Sequence, residues 1–336
     1  MRTVSGTRRW KDPKINHSIF NNVPSSRHSA LTTFNRSAPA RKLFVSIGVA
    51  LTLLCTTALA EIRVVDDSGQ TLALKSPARR IISLSPPITE TLYAVGAGER
   101  IVATVEYADY PEAAKKIPRV GDSAALDMER IVSLKPDLIV VWLQGTAQKQ
   151  LDILHTLDIP IFHLEPRKLT DIADALLRLG QLAGTEAQAH KAALDYSTRL
   201  DKLRERYSAR PPVTLFYQVW GKPLLTINGE QLISDVIRLC GGRNIFSDSR
   251  LLVPTVDIEA VVKADPEAIV TTPMGSEEEN GLELELWRKF PSLRATAGNN
   301  LILIDSKSIG RHSPSVLDGA ALLCAKLEAV RERRKP

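Results

Sequence analysis

Two stretches of this chain carry acids in a repeated pattern. "DMERIVSLKPDLIVVW" at 127–142 aligns without a gap on "DIEAVVKADPEAIVTT" at 257–272. Asp127/Asp257, Glu129/Glu259, Val132/Val262, Pro136/Pro266, Ile139/Ile269 and Val140/Val270 are identical, while Ile131/Val261 and Asp137/Glu267 match in kind. In each copy the Asp is placed to cap a helix by accepting hydrogen bonds from its first free amides. The Glu two residues on falls in the first turn, where the helix dipole favours an anion. Either Glu alone reads as ordinary helix chemistry; the pair implies more. Carboxylates on two separate lobes stand too far apart for acid–base work, which needs them within roughly 5–10 Å. One acid per lobe, facing the same way, suits docking on a two-fold symmetric partner that offers an arginine pocket to each.

Other chemistry is sparse. "GDSAAL" at 121–126 resembles the serine block of one esterase family, which also requires an Asp-x-x-His near the C-terminus. Here the only such spacing is Asp152–His155, inside a predicted helix in mid-lobe. No G-x-S-x-G block or phosphate-binding glycine loop is present. No catalytic residues are assigned, and a serine esterase stands only as the rival of another class. Beyond residue 60 the histidines are His155, His163, His190 and His312, spaced without a metal-ligand pattern, so no metal site is expected.

The elements that must position the acids alternate between two periods. "RIISLS" (80–85) reads as a strand ending in a Ser-Pro-Pro turn, and "ITETLYAVGA" as a helix with a glycine stop. "IVATV", "LIVVW" and "IPIFHL" are further strands, and the unbroken apolar run of "LIVVW" is that of a strand buried on both faces. "LTDIADALLRLGQLAG" is an amphipathic helix stopping at Gly184, after which Thr185 and Gln188 form a capping box for a helix of about 22 residues, to about Tyr207. Prolines 211 and 212 end it, and strand–helix alternation then restarts with "VTLFYQVW". The expected architecture is α/β: two similar lobes with mainly parallel sheets, joined by one long, stiff helix, with a cleft between them. Expected boundaries are 1–60 for a head, 61–184 and 211–336 for the lobes, and 185–210 for the linking helix.

Charge and targeting agree with an exported protein. The net charge of +6 is concentrated in the head, where 1–60 holds nine Lys/Arg and one acid, Asp12; the rest carries 35 basic and 37 acidic residues. That balance gives no electrostatic case for nucleic acid. Arg41–Lys42, the apolar run 43–55 and "ALA" at 58–60 make a secretory signal with cleavage expected after Ala60. The run is short for a membrane span, which needs about 20 residues. Residues 1–40 read as disordered or as an over-extended gene start. Cleavage leaves Cys240 and Cys324, an even pair that in an oxidising compartment reads as one disulfide, with two buried thiols as the alternative.

These features together resemble the substrate-binding proteins of ABC importers, in the group with a helical hinge that carries siderophores, haem, vitamin B12 or transition metals. The resemblance runs from about Arg79 to Leu327, through "RIISLSPPITETLYAVGAG", "YADYP", "LDMERIVSLKPDLIVVW", "LISDVIRLCGGRNIF" and "RHSPSVLDGAALLC". "CGGRNIF" with a second cysteine in the last helix is more particular to the vitamin B12 branch. The resemblance implies a periplasmic monomer that delivers cobalamin or another corrinoid, as cargo and not as a resident cofactor, to a permease dimer. It also implies that Glu129 and Glu259 meet permease arginines and that Cys240 pairs with Cys324. Haem or a ferric siderophore is the alternative cargo.

Ligands of open α/β sheets lie at the carboxyl ends of the strands. Cobalamin has apolar faces and a rim of amides, which suits an aromatic cleft with few polar groups. The residues at such ends are Pro87, Tyr107, Trp142, Tyr217, Trp220 and Arg311. Tyr107 and Arg311 fall where the resemblance implies a ligand-contacting Tyr and Arg; Trp220 rests on position alone. The chain also departs from the pattern. The branch carries a tryptophan six residues before each docking Glu, and here these are Ser123 and Val253. An aspartate expected four residues before the arginine is Lys307, with Asp305 close by.

Overall fold

Alternating short apolar runs and helices build two parallel sheets in this computed structural model, which describes residues 61–272 and 284–334. The expected signal segment and its cleavage site lie outside the described residues, as does most of the acidic stretch 276–287.

The described chain opens on a hairpin, β1 (Ile62–Val65) and β2 (Thr71–Leu74), that the alternation from residue 79 onward does not anticipate. Asp66 explains it. Its Oδ1 accepts from the Ser68 and Gln70 amides and the Ser68 hydroxyl, closing the turn. Its Oδ2 meets His163 Nδ1 at 2.6 Å, tying the hairpin to a strand 97 residues away. Burial opposes ionisation of Asp66, but these hydrogen bonds together hold its carboxyl below the ordinary range.

The N-terminal sheet contains β3 (Ile81–Ser83), β4 (Ile101–Thr104), β5 (Leu138–Trp142) and β6 (Ile161–Leu164), in the order β4-β3-β5-β6 and all parallel. Its helices are α1 (Pro86–Ala94), α2 (Met128–Ser133), α3 (Gln148–Leu154) and α4 (Leu169–Ala183). The linking helix is α5 (Glu186–Tyr207), with the expected 22 residues.

The C-terminal lobe repeats the plan. It contains β7 (Val213–Gln218), the hairpin β8 (Trp220–Gly221) and β9 (Leu224–Leu225), α6 (Leu232–Leu239), β10 (Gly242–Asn244), α7 (Ile258–Ala264) and β11 (Ala268–Thr271). A helix α8 (284–288), α9 (Arg294–Ala297), β12 (Leu301–Leu303), α10 (Ser306–Ile309) and α11 (Val316–Arg333) complete it. The parallel sheet runs β10-β7-β11-β12, the same permutation as in the first lobe. In each sheet the strand after the Asp-x-Glu helix, β5 or β11, therefore sits third in order.

Side-chain alternation divides the core. Leu138 and Val140 of β5, with Leu215 and Tyr217 of β7, face a shared apolar cluster that runs through Leu176, Tyr196 and Leu200 to Ile237 and Leu323. Ile139 and Val141 face a second cluster against α3, and Phe216 and Ile269 a third against Trp287. Only α5 links the lobes covalently, yet the packed join is wider than one helix. Ile172, Leu176 and Leu179 of α4 lie in the shared cluster, and each buried leucine or isoleucine contributes about 1.5–3 kcal/mol. The Leu169 amide also donates to Asp235 Oδ2 across the lobes at 2.9 Å.

Two cap expectations are corrected. Asp127 does cap α2, accepting from the Arg130 amide at 2.9 Å, but Asp257 makes no such bond at α7. Thr185 makes no side-chain cap at α5; its hydroxyl is buried and has no partner among the described residues. Gly184 at φ 60° ends α4 as expected.

Candidate functional site

The repeated acids stand in equivalent places. Glu129 in α2 and Glu259 in α7 are both solvent-exposed, in the first turn of helices that each precede the third strand of a sheet. Asp137 and Glu267, which match only in kind, do the same work. Asp137 accepts from the Arg80 amide before β3 at 2.9 Å, and Glu267 accepts from the Thr214 amide in β7 at 3.0 Å. Each also donates its own amide back to that residue's carbonyl. The duplication therefore extends to hydrogen-bonding roles.

The carboxyl ends of the strands hold a polar constellation centred on Arg311. Its Nη2 donates to Asp109 Oδ1 at 2.6 Å, and its Nη1 lies 3.8 Å from Glu90 Oε2. Glu90, on α1, also accepts from the Ser315 amide at 2.9 Å and the Ser315 hydroxyl at 3.0 Å, just before α11. These bonds cross from the first lobe to the second. Beside Arg311 lies a cavity of about 280 Å³ lined by Asp109, Tyr110, Asp305, Ser308, Arg311 and Ser315.

A second cross-lobe contact joins Trp142 and His312. Their ring centroids are 5.3 Å apart with planes at 62°, an edge-on arrangement. Trp142 shares the phase of Val140 along β5, so it points toward the shared core side. Gly145 seats the indole: a Cβ there would stand 1.9 Å from Trp142 Cε3. The indole Nε1 is buried with no acceptor among the described residues, and the Ser85 hydroxyl at the end of β3 is likewise without a partner there. Burial pushes the His312 imidazole down to about 4, with the Pro166 carbonyl offsetting part of the shift.

The remaining candidates scatter. Tyr107 is 81 % exposed and held in left-handed backbone at φ 64°, so its ring stands clear of the lobe. Pro87 is half-buried in the first turn of α1. Trp220 is 43 % exposed on the β8–β9 hairpin, its Nε1 donating to the Lys222 carbonyl at 2.9 Å. Tyr217 is the correction. Its ring is fully buried in the shared core and its hydroxyl bonds Thr272 at 2.9 Å, so it is no part of an open cleft wall. Its place late in "VTLFYQVW" suggests a strand end, but β7 is covered on both faces to Gln218. Ser123 and Val253 are exposed and present no aromatic wall.

Glu90, Asp109 and His312, which meet Arg311 and Trp142 at the candidate site, are residues that sequence reasoning missed. Glu90 looks like one polar turn of an amphipathic helix, and in the sequence His312 stands out only as a metal-ligand type. Asp109 lies within "YADYP", the one signal that could have found it. Cys240 and Cys324 form a disulfide with Cα atoms 4.5 Å apart. Among the described residues no group of three or more His, Cys, Asp or Glu is arranged to hold a metal ion.

Known proteins are similar to this chain in sequence and fold. The family model described as periplasmic binding protein matches residues 81–307. The vitamin B12-binding protein of Yersinia pestis (strain Pestoides F) is 39% identical over 253 residues, covering 75% of this chain and 88% of that protein. The crystal structure of periplasmic vitamin B12 binding protein BtuF of Vibrio cholerae superposes with a TM-score of 0.70 at 35% identity, covering 76% of this chain and 98% of the other. The periplasmic haem-binding protein RhuT from Roseiflexus sp. RS-1, in apo form, shares the fold at a TM-score of 0.66 and 21% identity, covering 75% of this chain and 99% of that one.

Proposed function

Because this chain belongs to the periplasmic binding protein family, we propose that it captures cobalamin or a related corrinoid in the periplasm and hands it to an ABC permease. The observation that carries the reading is the duplicated lobe: one strand order used twice, each copy with one exposed Glu, around polar groups gathered at the strand ends. Similarity to vitamin B12-binding proteins over three-quarters of the chain supports the choice of cargo.

Binding works by placement of groups and needs no covalent step. Arg311 offers a guanidinium to amide carbonyls or the phosphate of the ligand. Trp142, partly buried and edge-on to His312 across the lobes, stands at the same strand ends. Tyr107 and Trp220 supply exposed aromatic area for an apolar macrocycle face, and Pro87 flanks the floor. Glu129 and Glu259 dock on arginines of the two permease halves. The protein acts as a monomer and as a carrier, not as an enzyme.

A haem or ferric-siderophore binder is the second reading, favoured by Ser123 and Val253, which leave out two aromatic walls of the vitamin B12 branch. Calorimetric titration of the purified, oxidised protein with cyanocobalamin, with haem and a ferric siderophore as controls, decides between them. Tight 1:1 binding of cyanocobalamin alone is expected. Binding of haem or siderophore without cyanocobalamin would overturn the cargo and leave the carrier role.

A further inference from the structure

Arg311 is held by two acids of different character. Glu90 is 4 % exposed and already committed to the Ser315 amide and hydroxyl, so it is fixed at the floor. Taking donors from it would leave a buried carboxylate uncompensated, the most costly kind of unpaired group. Asp109 keeps 33% of its side chain in solvent, on the loop between exposed Tyr107 and exposed Tyr110. A carboxylate that is already wet loses little when its cation leaves.

Space points the same way. The cavity of about 280 Å³ beside Arg311 falls short of the roughly 300–1,000 Å³ usual for drug-sized ligands, and a corrinoid is larger than those. A ligand that takes Arg311 for its own acceptor has to part the rim contact between Asp109 and Arg311, which joins residues 202 apart across the cleft.

We infer that Asp109 is an internal competitor for Arg311: it holds the guanidinium in the ligand-free cleft and yields it to an oxygen acceptor of the incoming ligand. Glu90 is the positioning residue that keeps Arg311 in place through the exchange. The identity of the acceptor rests on the corrinoid reading above; the latch itself does not. An internal competitor sets the same cost on every ligand that takes the guanidinium, so only one with a strong, well-placed acceptor offsets it, which makes Asp109 a residue of specificity.

Asp109→Asn keeps the shape of the rim and removes its charge. Cyanocobalamin affinity in this variant is expected to rise about twofold to fivefold, the worth of one part-exposed ion pair. Arg311→Met lowers affinity, and in that background Asp109→Asn has no further effect, which a merely structural role for Asp109 would not produce. An unchanged or weaker affinity in Asp109→Asn, or a gain that persists in Arg311→Met, overturns the proposal. Hydrogen exchange of the ligand-free protein tests the latch without any cargo. Amides 107–110 should exchange faster in both single variants, and the Ser315 amide, bonded to Glu90, should not in Asp109→Asn. Equal exchange at 107–110 in all three proteins overturns the latch. Failure of the wild type to bind cyanocobalamin overturns the cargo alone.

Discussion

Lys135 and Asp265, at corresponding places in the two repeats, close α2 and α7 with the same left-handed backbone, at φ 47° and φ 43°, each just before a proline. Neither is glycine, so each position bears the strain of a side chain in that region. The proline that follows cannot continue a helix, and the turn delivers the chain to β5 or β11 in the same way.

Such equivalence gives Glu129 and Glu259 matching aspects on their lobes. The Glu129→Ala/Glu259→Ala protein is expected to keep its ligand affinity and its melting temperature while losing transport. Each single variant should retain part of the uptake. Undiminished cobalamin uptake by cells carrying the double variant would remove the docking role.

His312 is expected to make stability depend on pH. The folded chain keeps its imidazole neutral down to about 4, whereas the unfolded chain protonates near its ordinary 6.5. Across that window the unfolded state binds more protons, so stability rises with pH and is lost as pH falls from about 6.5 toward 4. The full effect amounts to about 3 kcal/mol at most. His312→Gln should flatten this slope, read from urea unfolding at several pH values. The same slope in the variant would assign the pH dependence to other groups.

Tyr217 and Trp220 should separate cleanly. Tyr217→Phe removes a buried hydroxyl bonded to Thr272 and is expected to cost about 1 kcal/mol of stability with no change in cobalamin affinity. Trp220→Ala removes an exposed ring, leaving stability within about 0.5 kcal/mol. Its affinity should fall about tenfold, as for loss of an aromatic anchor. Titration and denaturant unfolding of both variants check the pair, and unaltered affinity in Trp220→Ala would take that ring out of the site.

The disulfide Cys240–Cys324 spans 84 residues and is fully buried, joining the end of α6 to α11. Reduction is expected to lower stability by about 2–5 kcal/mol, in line with the long loop it closes. Guanidinium unfolding of oxidised and dithiothreitol-treated protein measures the difference. A midpoint that does not move would show that the core alone fixes these helices.

Much of this was determined locally and so was legible in the chain. The period of apolar residues separates strands from helices, and "LIVVW" must be covered on both faces because it has no polar side. The gapless match of 127–142 with 257–272 reveals two lobes, since a repeated element that cannot stand alone has to repeat its surroundings. Parity of the two cysteines beyond residue 60 favours one bridge. The β1–β2 hairpin leaves no such mark, because its anchor is Asp66 on His163, a pair 97 residues apart that no local period records.

Tertiary structure decided the cleft. The inward face of Tyr217 depends on how β7 lies against the shared core, and a strand covered on both faces gives no polar alternation to mark its phase. Which acid meets Arg311 depends on how near the lobes come. Asp109 and Glu90 belong to the first lobe and are remote from Arg311 along the chain, yet they reach it at 2.6 and 3.8 Å in space. Charge interactions and hydrogen bonds fall off over a few ångströms of real distance, while sequence reports only distance along the chain.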